Sequence, residues 1–226
     1  MEIIIRIIAY FILLFAITIH ESAHGWAALK FGDPTAYHLG RITLNPIPHI
    51  DPIGTVILPL IMMITGIPFI GWAKPVPVNP LNLRNPRRDN LWISAAGPLS
   101  NLTAAVVFLI GIVILKFLNP NIVYFLRSFI FAQTGFAGGF HPLGGLALIL
   151  FYGALINTLL AIFNMIPIPP LDGGGVLMGL LSDEAAEKYD RIRPFGFLII
   201  LGLLFIGFLN LIFRPIYILI ATIAVA

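Results

Sequence analysis

The sequence predicts an all-α membrane protein, and three observations point to that fold class. Hydrophobic residues make up 59% of the 226-residue chain, charged residues make up only 10%, and the mean hydropathy is +0.99. A soluble domain carries about 25% charged residues, and a disordered chain combines low hydrophobicity with high charge, so both classes are excluded. Several apolar runs are long enough to cross a hydrocarbon core of ~30 Å as helices. We therefore expect a helical bundle in which residues 1–226 form a single polytopic membrane domain.

The composition also limits the chemistry and the partners. The chain has no cysteine, which excludes disulfides and thiolate metal ligands, so any metal would be held by histidine and carboxylate. The net charge is +3, but no basic run is interleaved with the stacking aromatic residues that nucleic-acid binding requires. The lipid bilayer is therefore an expected partner, and nucleic acid is not.

The first long apolar run, residues 3–30, is predicted to be a membrane-spanning helix. Glu2 lies beside Arg6 ahead of the apolar core, and no small-residue cleavage site follows, so the run is expected to be retained rather than removed as a signal peptide. Near the end of the chain, Arg214-Pro215 allows either a kinked helix or a helix with a short tail. Apolar composition predicts the other long helices at about 91–118, 143–166 and 195–213.

Residues 52–70 are apolar, but prolines and glycines interrupt them, so a straight spanning helix is not expected there. Broken backbone at membrane depth is tolerated where it is buried in protein or lines a cavity. We therefore predict a proline-broken re-entrant hairpin that enters and leaves the membrane on one side. Alternation of residue types over 38–44 favours a short β segment before the hairpin, and a short interfacial helix is expected near 122–132.

Residues 20–24 read His-Glu-Ser-Ala-His, which fits the pattern H-E-x-x-H. His20 and His24 lie one turn apart on one helix face and can reach the same metal ion. Two histidines and a third ligand leave a fourth position for water, and Glu21 beside that position can accept the water's proton as it attacks a carbonyl. Ionisable groups are costly inside an apolar helix, so a functional site is favoured over histidines that only pack.

The third metal ligand must come from another part of the chain. Asp172 is the strongest candidate, because it follows a helix ended by prolines and precedes three glycines that let the backbone turn sharply. A turn or helix-cap role for this aspartate stays open on the residues alone. The other candidates in or beside apolar segments are Asp51, His38, His49 and His141.

Topology and charge both favour Asp172. If residues 52–70 re-enter, two crossings separate the end of the first helix from Asp172 and the two meet, whereas a full crossing puts them on opposite sides. The re-entrant arrangement also puts nine cations on one side of the membrane and four on the other, whereas a full crossing gives eight and five. The side with more cations is expected to be cytoplasmic. The nine are Lys30, Arg41, Lys74, Arg84, Arg87, Arg88, Lys188, Arg191 and Arg193, and the four are Arg6, Lys116, Arg127 and Arg214.

Two motifs together resemble the site-2 protease family, whose pattern is HExxH followed by N-x-x-P-x-P-x-L-D-G. The first is His20-Glu21-x-x-His24, and the second runs Asn164-Met165-Ile166-Pro167-Ile168-Pro169-Pro170-Leu171-Asp172-Gly173. Shorter stretches at 44–55, 71–75 and 97–101 look like the short prokaryotic subgroup of the family. The resemblance covers roughly residues 15–175.

The resemblance implies an intramembrane zinc metalloprotease with a three-helix catalytic core. By this resemblance His20, His24 and Asp172 bind Zn²⁺, Glu21 is the general base, and Asn164 helps to hold the substrate or the oxyanion. The implied substrate is a membrane-spanning protein segment, cut in regulated intramembrane proteolysis. The active site is expected towards the cytoplasmic side of the cell membrane. The insert that a PDZ module would need is not expected in this chain.

Two alternatives stay open on the sequence. An extended substrate strand could pair with segment 38–44 or segment 74–80, or both segments are ordinary connector loops. The alternative function is a divalent metal-ion transporter that uses the histidine and aspartate cluster as a transit site. A transporter predicts several ligands staggered through the depth of the membrane.

Overall fold

The computed structural model describes residues 2–65, 71–132 and 142–226, and in these ranges the chain forms helices and turns without a β-strand. Four of the helices, α1, α4, α6 and α10 in the order given below, are long and apolar enough to cross a membrane. The predicted all-α membrane fold is confirmed. The α-helices are α1 (Glu2–Lys30), α2 (Thr35–His38), α3 (Leu58–Thr65), α4 (Pro86–Leu118), α5 (Asn121–Arg127), α6 (Pro142–Asn164), α7 (Asp172–Leu180), α8 (Asp183–Asp190), α9 (Gly196–Phe205) and α10 (Phe208–Val225). Shorter 3₁₀ turns are Ile47–His49, Pro80–Asn82 and Arg193–Phe195, and π-helical turns are Pro52–Ile57 and Ser128–Ala132.

The long helix α4 lies at the centre of the bundle. It packs against α1, α6 and α7, and α1 also packs against α6. Close approach of α4 and α6 depends on a small residue, because Gly153 leaves the space that the ring of Phe108 fills. The helices α1, α4 and α6 thus form a three-helix core.

A second set of contacts joins α10 to this core. Ile112 of α4, Leu126 of α5, Phe151 of α6 and Ile220 of α10 are buried together in one apolar cluster. In lipid the hydrophobic effect does not drive helices together, so close packing of this kind holds the cluster. It therefore joins α4 and α6 of the core to α5 and α10.

Two helix ends differ from the sequence expectation by a few residues. α4 begins at Pro86 rather than near 91, because proline suits the first helical turn and Asp89 Oδ2 accepts a hydrogen bond from the Asn85 amide at 2.7 Å. α6 ends at Asn164 rather than at 166, because a residue before Pro167 is disfavoured in a helix. The short helix expected near 122–132 is present as α5 and the π-helical turn that follows it.

The C-terminal run breaks at Gly207 and not at Arg214-Pro215, so the predicted helix 195–213 becomes two helices. Gly207 has a φ of +74°, a left-handed conformation that suits glycine and separates α9 from α10. Pro215 lies inside α10. A proline is tolerated there because neighbouring helices and local adjustments satisfy the freed carbonyl in membrane helices.

The short β segment expected at 38–44 does not form. Residues Thr35–His38 are helical, and the amide of Arg41 donates a hydrogen bond to the carbonyl of Ala36 at 2.9 Å. A bond of this span is a helix-ending turn. The backbone groups at the start of the segment are thus used within the turn, the carbonyl of Thr43 accepts a hydrogen bond from Ser22 Oγ, and the segment has no partner strand among the described residues.

The chain enters and leaves the segment 52–70 at neighbouring positions. A π-helical turn and α3 form its first part, and residues 66–70 lie outside the described residues. Thr55 Oγ1 donates to the carbonyl of Trp72 at 2.9 Å, and the Lys74 amide donates to the carbonyl of His49 at 3.0 Å. The flanks of the segment therefore touch, as a re-entrant hairpin requires.

Candidate active site

Three potential metal ligands converge between α1 and α7. The rings of His20 and His24 lie on one face of α1, with centroids 4.7 Å apart. Asp172 begins α7 and places Oδ2 2.9 Å from His20 Nε2 and Oδ1 3.3 Å from His24 Nε2. The three ligand atoms lie within 4.8 Å of one another, so one ion at ~2.0–2.2 Å from each could be held between them. The structure therefore brings Asp172 within coordination reach of the histidine pair, as the sequence predicts.

The other candidates for a third ligand lie elsewhere. Asp51 accepts hydrogen bonds from two backbone amides as the N-cap of the π-helical turn. His49 is buried, and its Nε2 faces a backbone carbonyl at 3.1 Å. His38 is exposed at the end of α2, and His141 lies outside the described residues. Of the five candidates, only Asp172 joins the histidine pair in the part of the chain that the structure describes.

Both histidines have a partner on the ring nitrogen that points away from Asp172. His20 Nδ1 lies 2.6 Å from Oδ1 of Asn101, and His24 Nδ1 lies 2.6 Å from the carbonyl oxygen of Ile93. A carbonyl only accepts hydrogen bonds, so Nδ1 of His24 carries a proton, and in the neutral imidazole Nε2 keeps a lone pair. Histidines that bind metals are commonly oriented in this way.

The space between these ligands fits a metal ion. A Cβ atom at Gly97 would lie 2.4 Å from His24 Nε2 and 2.6 Å from His20 Nε2, so the glycine on α4 keeps the space beside both ligand atoms open. Asp172 Oδ2 is buried, and its contact with His20 lacks the geometry of a hydrogen bond, so the oxygen has no hydrogen-bond partner. Two imidazole nitrogens and a carboxylate are also a usual ligand set for Zn²⁺. The residues present therefore fit zinc.

Glu21 lies beside the histidine pair in the wall of the same cavity. Its Oε2 accepts a hydrogen bond from the backbone amide of Val76 at 2.8 Å. Val76 belongs to residues 71–78, a segment without helix or strand that we call the active-site loop. The orientation of the Glu21 carboxylate is therefore coupled to the position of this loop.

The active-site loop is attached to the protein along one edge. Backbone groups of Trp72, Lys74 and Val76 make the contacts with Thr55, His49 and Glu21 described above. Arg41, which is only 7% exposed, also donates from Nη2 to the carbonyl of Lys74 at 2.6 Å. Ala73 and Pro75, which alternate along the chain with these attached residues, line the cavity.

The ligands and Glu21 open onto a cavity of about 700 Å³. Its walls come from α1, α4, the end of α6, α9 and the active-site loop, and they are mostly apolar. Asn164, expected to support the substrate, lies in this wall, and its Nδ2 donates to the carbonyl of Leu160 at 2.9 Å. The other polar lining residues outside the ligands and Glu21 are Asn90 and Ser94, and the apolar ones include Ile17, Ile93, Phe163, Phe197 and Ile200.

Sequence reasoning did not identify the groups that orient Glu21 and His24. Both are backbone atoms, the amide of Val76 and the carbonyl of Ile93, and no residue type signals such a contact. Arg41 counts in the sequence as one of the nine cations predicted on one side of the membrane, and nothing near it indicates that its guanidinium is buried against the active-site loop. These contacts depend on how separate segments pack, and a local pattern does not reveal that.

Asp33, just after α1, anchors the chain that follows the active-site loop. Its carboxylate accepts hydrogen bonds from the Asn79 amide at 2.7 Å, from Asn82 Nδ2 at 2.8 Å and from the amide and hydroxyl of Thr35. Burial raises the pKa of Asp33, but the hydrogen bonds from Asn82, Thr35 and Asn79 outweigh burial, so the pKa lies below its ordinary value. The ionised carboxylate is therefore the form that stabilises the fold.

We expect Asp33→Asn to lower the free energy of unfolding by roughly 1–3 kcal/mol at pH 7, because one donating NH₂ group would then face donors. The pKa is lowered in the folded state, so this stability is present above the unfolded pKa of ~3.9 and is lost as the pH falls through the folded pKa. Wild type and variant should therefore converge in acid. Thermal unfolding followed by circular dichroism in detergent measures the effect, with the exposed Asp190→Asn as control. Equal unfolding temperatures for Asp33→Asn and wild type at pH 7 would contradict the assignment.

Comparison with known proteins gives consistent matches over most of the chain. Residues 8–207 match Peptidase family M50. The chain is 36% identical over 191 residues to "Putative zinc metalloprotease YwhC" of Bacillus subtilis, an overlap that covers 84% of this chain and 77% of that protein. It is 32% identical over 198 residues to "Putative zinc metalloprotease Rip2" of Mycolicibacterium smegmatis, which covers 87% of this chain and 66% of that protein. No solved structure matches the chain.

Proposed function

The chain belongs to Peptidase family M50, the site-2 protease family, and we propose that it is an intramembrane protease that cuts a membrane-spanning protein. The enzyme class, a zinc metalloprotease of the membrane, follows from that membership. The substrate, the site of cleavage and the roles of the residues are the proposal. The single observation that carries it is the convergence of His20, His24, Asp172 and Glu21 on one cavity within the bundle.

The depth of the ligands supports cleavage of a bond in or near a transmembrane segment. His24 lies six residues before Lys30, where α1 ends, so it is about 9 Å from that end of the helix. The neighbouring helices α4 and α6 are also long and apolar enough to span a membrane. A bond that reaches this depth would belong to a chain embedded in the bilayer and locally unwound, as in regulated intramembrane proteolysis.

The residues divide the work of hydrolysis in a simple way. His20, His24 and Asp172 would hold zinc, which supplies Lewis acidity that acidifies water and polarises the scissile carbonyl. Glu21 would accept the proton of the attacking water and pass it to the leaving nitrogen. The Val76 amide holds Oε2 of Glu21, which leaves Oε1 for that proton. Asn164 in the cavity wall would support the substrate or the developing oxyanion.

The active-site loop is suited to hold an unwound substrate as an added strand. Its inner edge is attached to the protein, and the intervening residues Ala73 and Pro75 line the cavity. A substrate in extended form could donate its amides to the carbonyls of Ala73 and Pro75. Segment 38–44, the other candidate edge, is not among the residues that line the cavity, so 74–80 is favoured.

The transporter alternative finds less support. Transport would need ligands at several depths, whereas among residues 2–65, 71–132 and 142–226 one group of three potential ligands is found. The transporter also gives no role to Glu21, which is oriented beside that group by Val76. Proteolysis uses all four residues.

Zinc removal tests the two functions against each other. Wild-type protein in liposomes should cleave a co-reconstituted reporter with one transmembrane segment, lose cleavage to background after chelation, and recover it with Zn²⁺ but not with Mg²⁺. A zinc-sensitive dye inside the same vesicles measures transport. Zinc uptake without cleavage of any membrane-spanning reporter would refute the protease proposal.

We propose further that the cavity lies towards the cytoplasm. The end of α1 beyond His24, the start of α4 and the segment around α8 carry Lys30, Arg87, Arg88, Lys188, Arg191 and Arg193, and Arg41, Lys74 and Arg84 lie in the connections between these elements. These are nine of the thirteen cations, and the cation-rich side of a membrane protein is normally cytoplasmic. The absence of cysteine makes the orientation easy to test with single-cysteine variants. Exposed Arg88→Cys and Lys188→Cys should react with an impermeant maleimide only in inverted vesicles, and exposed Asn121→Cys only in intact spheroplasts. The reverse pattern would overturn the orientation.

A further inference from the structure

Two asparagines are fully buried among the three core helices. Asn101 on α4 and Asn157 on α6 are each 0% exposed. Polar groups inside a membrane bundle are expensive and are functional candidates by default. The division of work described above gives neither asparagine a role.

The hydrogen bonds of this pair run in one direction. Asn157 Nδ2 donates to the carbonyl of Gly153 at 2.8 Å, so its Oδ1 accepts from Asn101 Nδ2 at 2.9 Å. Asn101 Nδ2 also donates to the carbonyl of Ala16 at 3.0 Å. Because backbone carbonyls only accept, the two ends of the chain of bonds determine that Oδ1 of Asn101 is the atom facing His20 Nδ1 at 2.6 Å.

This direction settles the tautomer of His20. Oδ1 of Asn101 only accepts, so Nδ1 of His20 carries a proton, and in the neutral imidazole Nε2, on the side of Asp172, keeps its lone pair. His24 obtains the same tautomer from the backbone carbonyl of Ile93. Of the two histidines, His20 is therefore the one whose orientation depends on a side chain, that of Asn101, which a substitution can remove.

We propose that Asn101 is a positioning residue for His20 and that Asn157 holds Asn101 in place. The relay His20–Asn101–Asn157 joins α1, α4 and α6, so the packing of the core helices sets the tautomer and ring angle of a metal ligand. Loss of such a partner typically costs about 10–100-fold in metal affinity or activity. The inference rests on the proposed role of His20 as a zinc ligand.

Zinc affinity, measured by chelator competition on detergent-purified protein, tests the role of Asn101. Asn101→Leu removes the acceptor and should weaken zinc binding about 10–100-fold. Asn101→Asp keeps an acceptor for His20 but sets a second oxygen against the carbonyl of Ala16, so it should unfold at a lower temperature and still bind zinc at least as tightly as wild type. If Asn101 had a purely structural role, zinc affinity would follow stability. Asn101→Asp would then bind zinc more weakly than Asn101→Leu, because a buried carboxylate destabilises the fold more than leucine does.

Asn157→Leu tests the next link of the relay. It takes one acceptor from Asn101 and should weaken zinc binding by less than Asn101→Leu does. The matched control is Thr158→Val on the same helix, whose hydroxyl donates to the carbonyl of Ala154 one turn earlier, at 2.8 Å, and to no other group in the described part of the chain. This control should bind zinc like the wild type.

Each outcome decides the question. Wild-type zinc affinity in Asn101→Leu, or in Asn157→Leu if the first variant does not fold, would overturn the positioning role. The positioning role would also be overturned if Asn101→Asp bound zinc more weakly than Asn101→Leu does. A loss of zinc affinity in Thr158→Val equal to the loss in Asn157→Leu would overturn it too. A wild-type protein that binds no zinc would instead overturn the proposed function, and that result requires no variant, so the two failures are distinguishable.

Discussion

Replacing Glu21 with glutamine is expected to leave zinc bound and to slow cleavage of a membrane-spanning reporter at least ~100-fold. A positioned general base contributes about 10²–10⁴-fold to such reactions, and an amide cannot accept the proton of the attacking water. The substitution is nearly isosteric, and the amide oxygen can still accept the hydrogen bond that Val76 donates to Oε2. The active-site loop should therefore stay in place, and the loss should fall on the chemical step.

The measurement is the initial cleavage rate in liposomes together with the zinc content of the same preparation. Glu187→Gln is the control, because Glu187 is exposed on α8 and lies outside the cavity, and it should cleave at the wild-type rate. Cleavage by Glu21→Gln at the wild-type rate would contradict the assignment of Glu21 as the general base. Loss of zinc by this variant would assign Glu21 to the metal site instead.

Gly97→Ala is expected to abolish both zinc binding and cleavage. The added methyl group would lie 2.4 Å from Nε2 of His24 and 2.6 Å from Nε2 of His20, the two atoms that would bind the metal. α4 packs tightly against α1, α6 and α7, and tight interiors do not shift freely to admit a methyl group. The methyl group would therefore displace the two histidine rings or fill the space between them.

Zinc content after dialysis and the cleavage rate measure the effect of Gly97→Ala. Gly202→Ala on α9 is the matched control, because a Cβ atom there has no neighbour within 4 Å among the described residues, and it should keep zinc and activity. Stoichiometric zinc with normal cleavage in Gly97→Ala would show that the metal lies elsewhere. Circular dichroism of the variant separates a blocked site from a misfolded chain.

Much of the site could be predicted from the sequence because its side chains follow strong local rules. The spacing of His20 and His24 on a helix puts both rings on one face, and the prolines and glycines around Asp172 indicate a sharp turn. The re-entrant reading of residues 52–70 brings these two regions to one end of the bundle, and the structure does bring Asp172 to the histidines. The all-α membrane class followed from the composition and from the length of the apolar runs.

The rest depends on contacts between distant segments. The amide of Val76 and the carbonyl of Ile93 act as backbone groups, so their identities carry no signal. Asn101 stands out as a polar residue in an apolar helix, but its direction of hydrogen bonding is determined by carbonyls on two other helices. Local propensity also misplaced the C-terminal break. The two helices separate at Gly207, which has a left-handed conformation, whereas Pro215 lies inside α10.

The placement of the ligands has a mechanical consequence. His20 and His24 belong to the first helix and Asp172 to the seventh, and α4 is the main packing partner of both helices. A bound ion would therefore act as a cross-link between two parts of the bundle that are otherwise joined mainly through a third. Separating these helices would require releasing the metal, so the ion that enables hydrolysis would also stabilise the bundle against separation of α1 from α7.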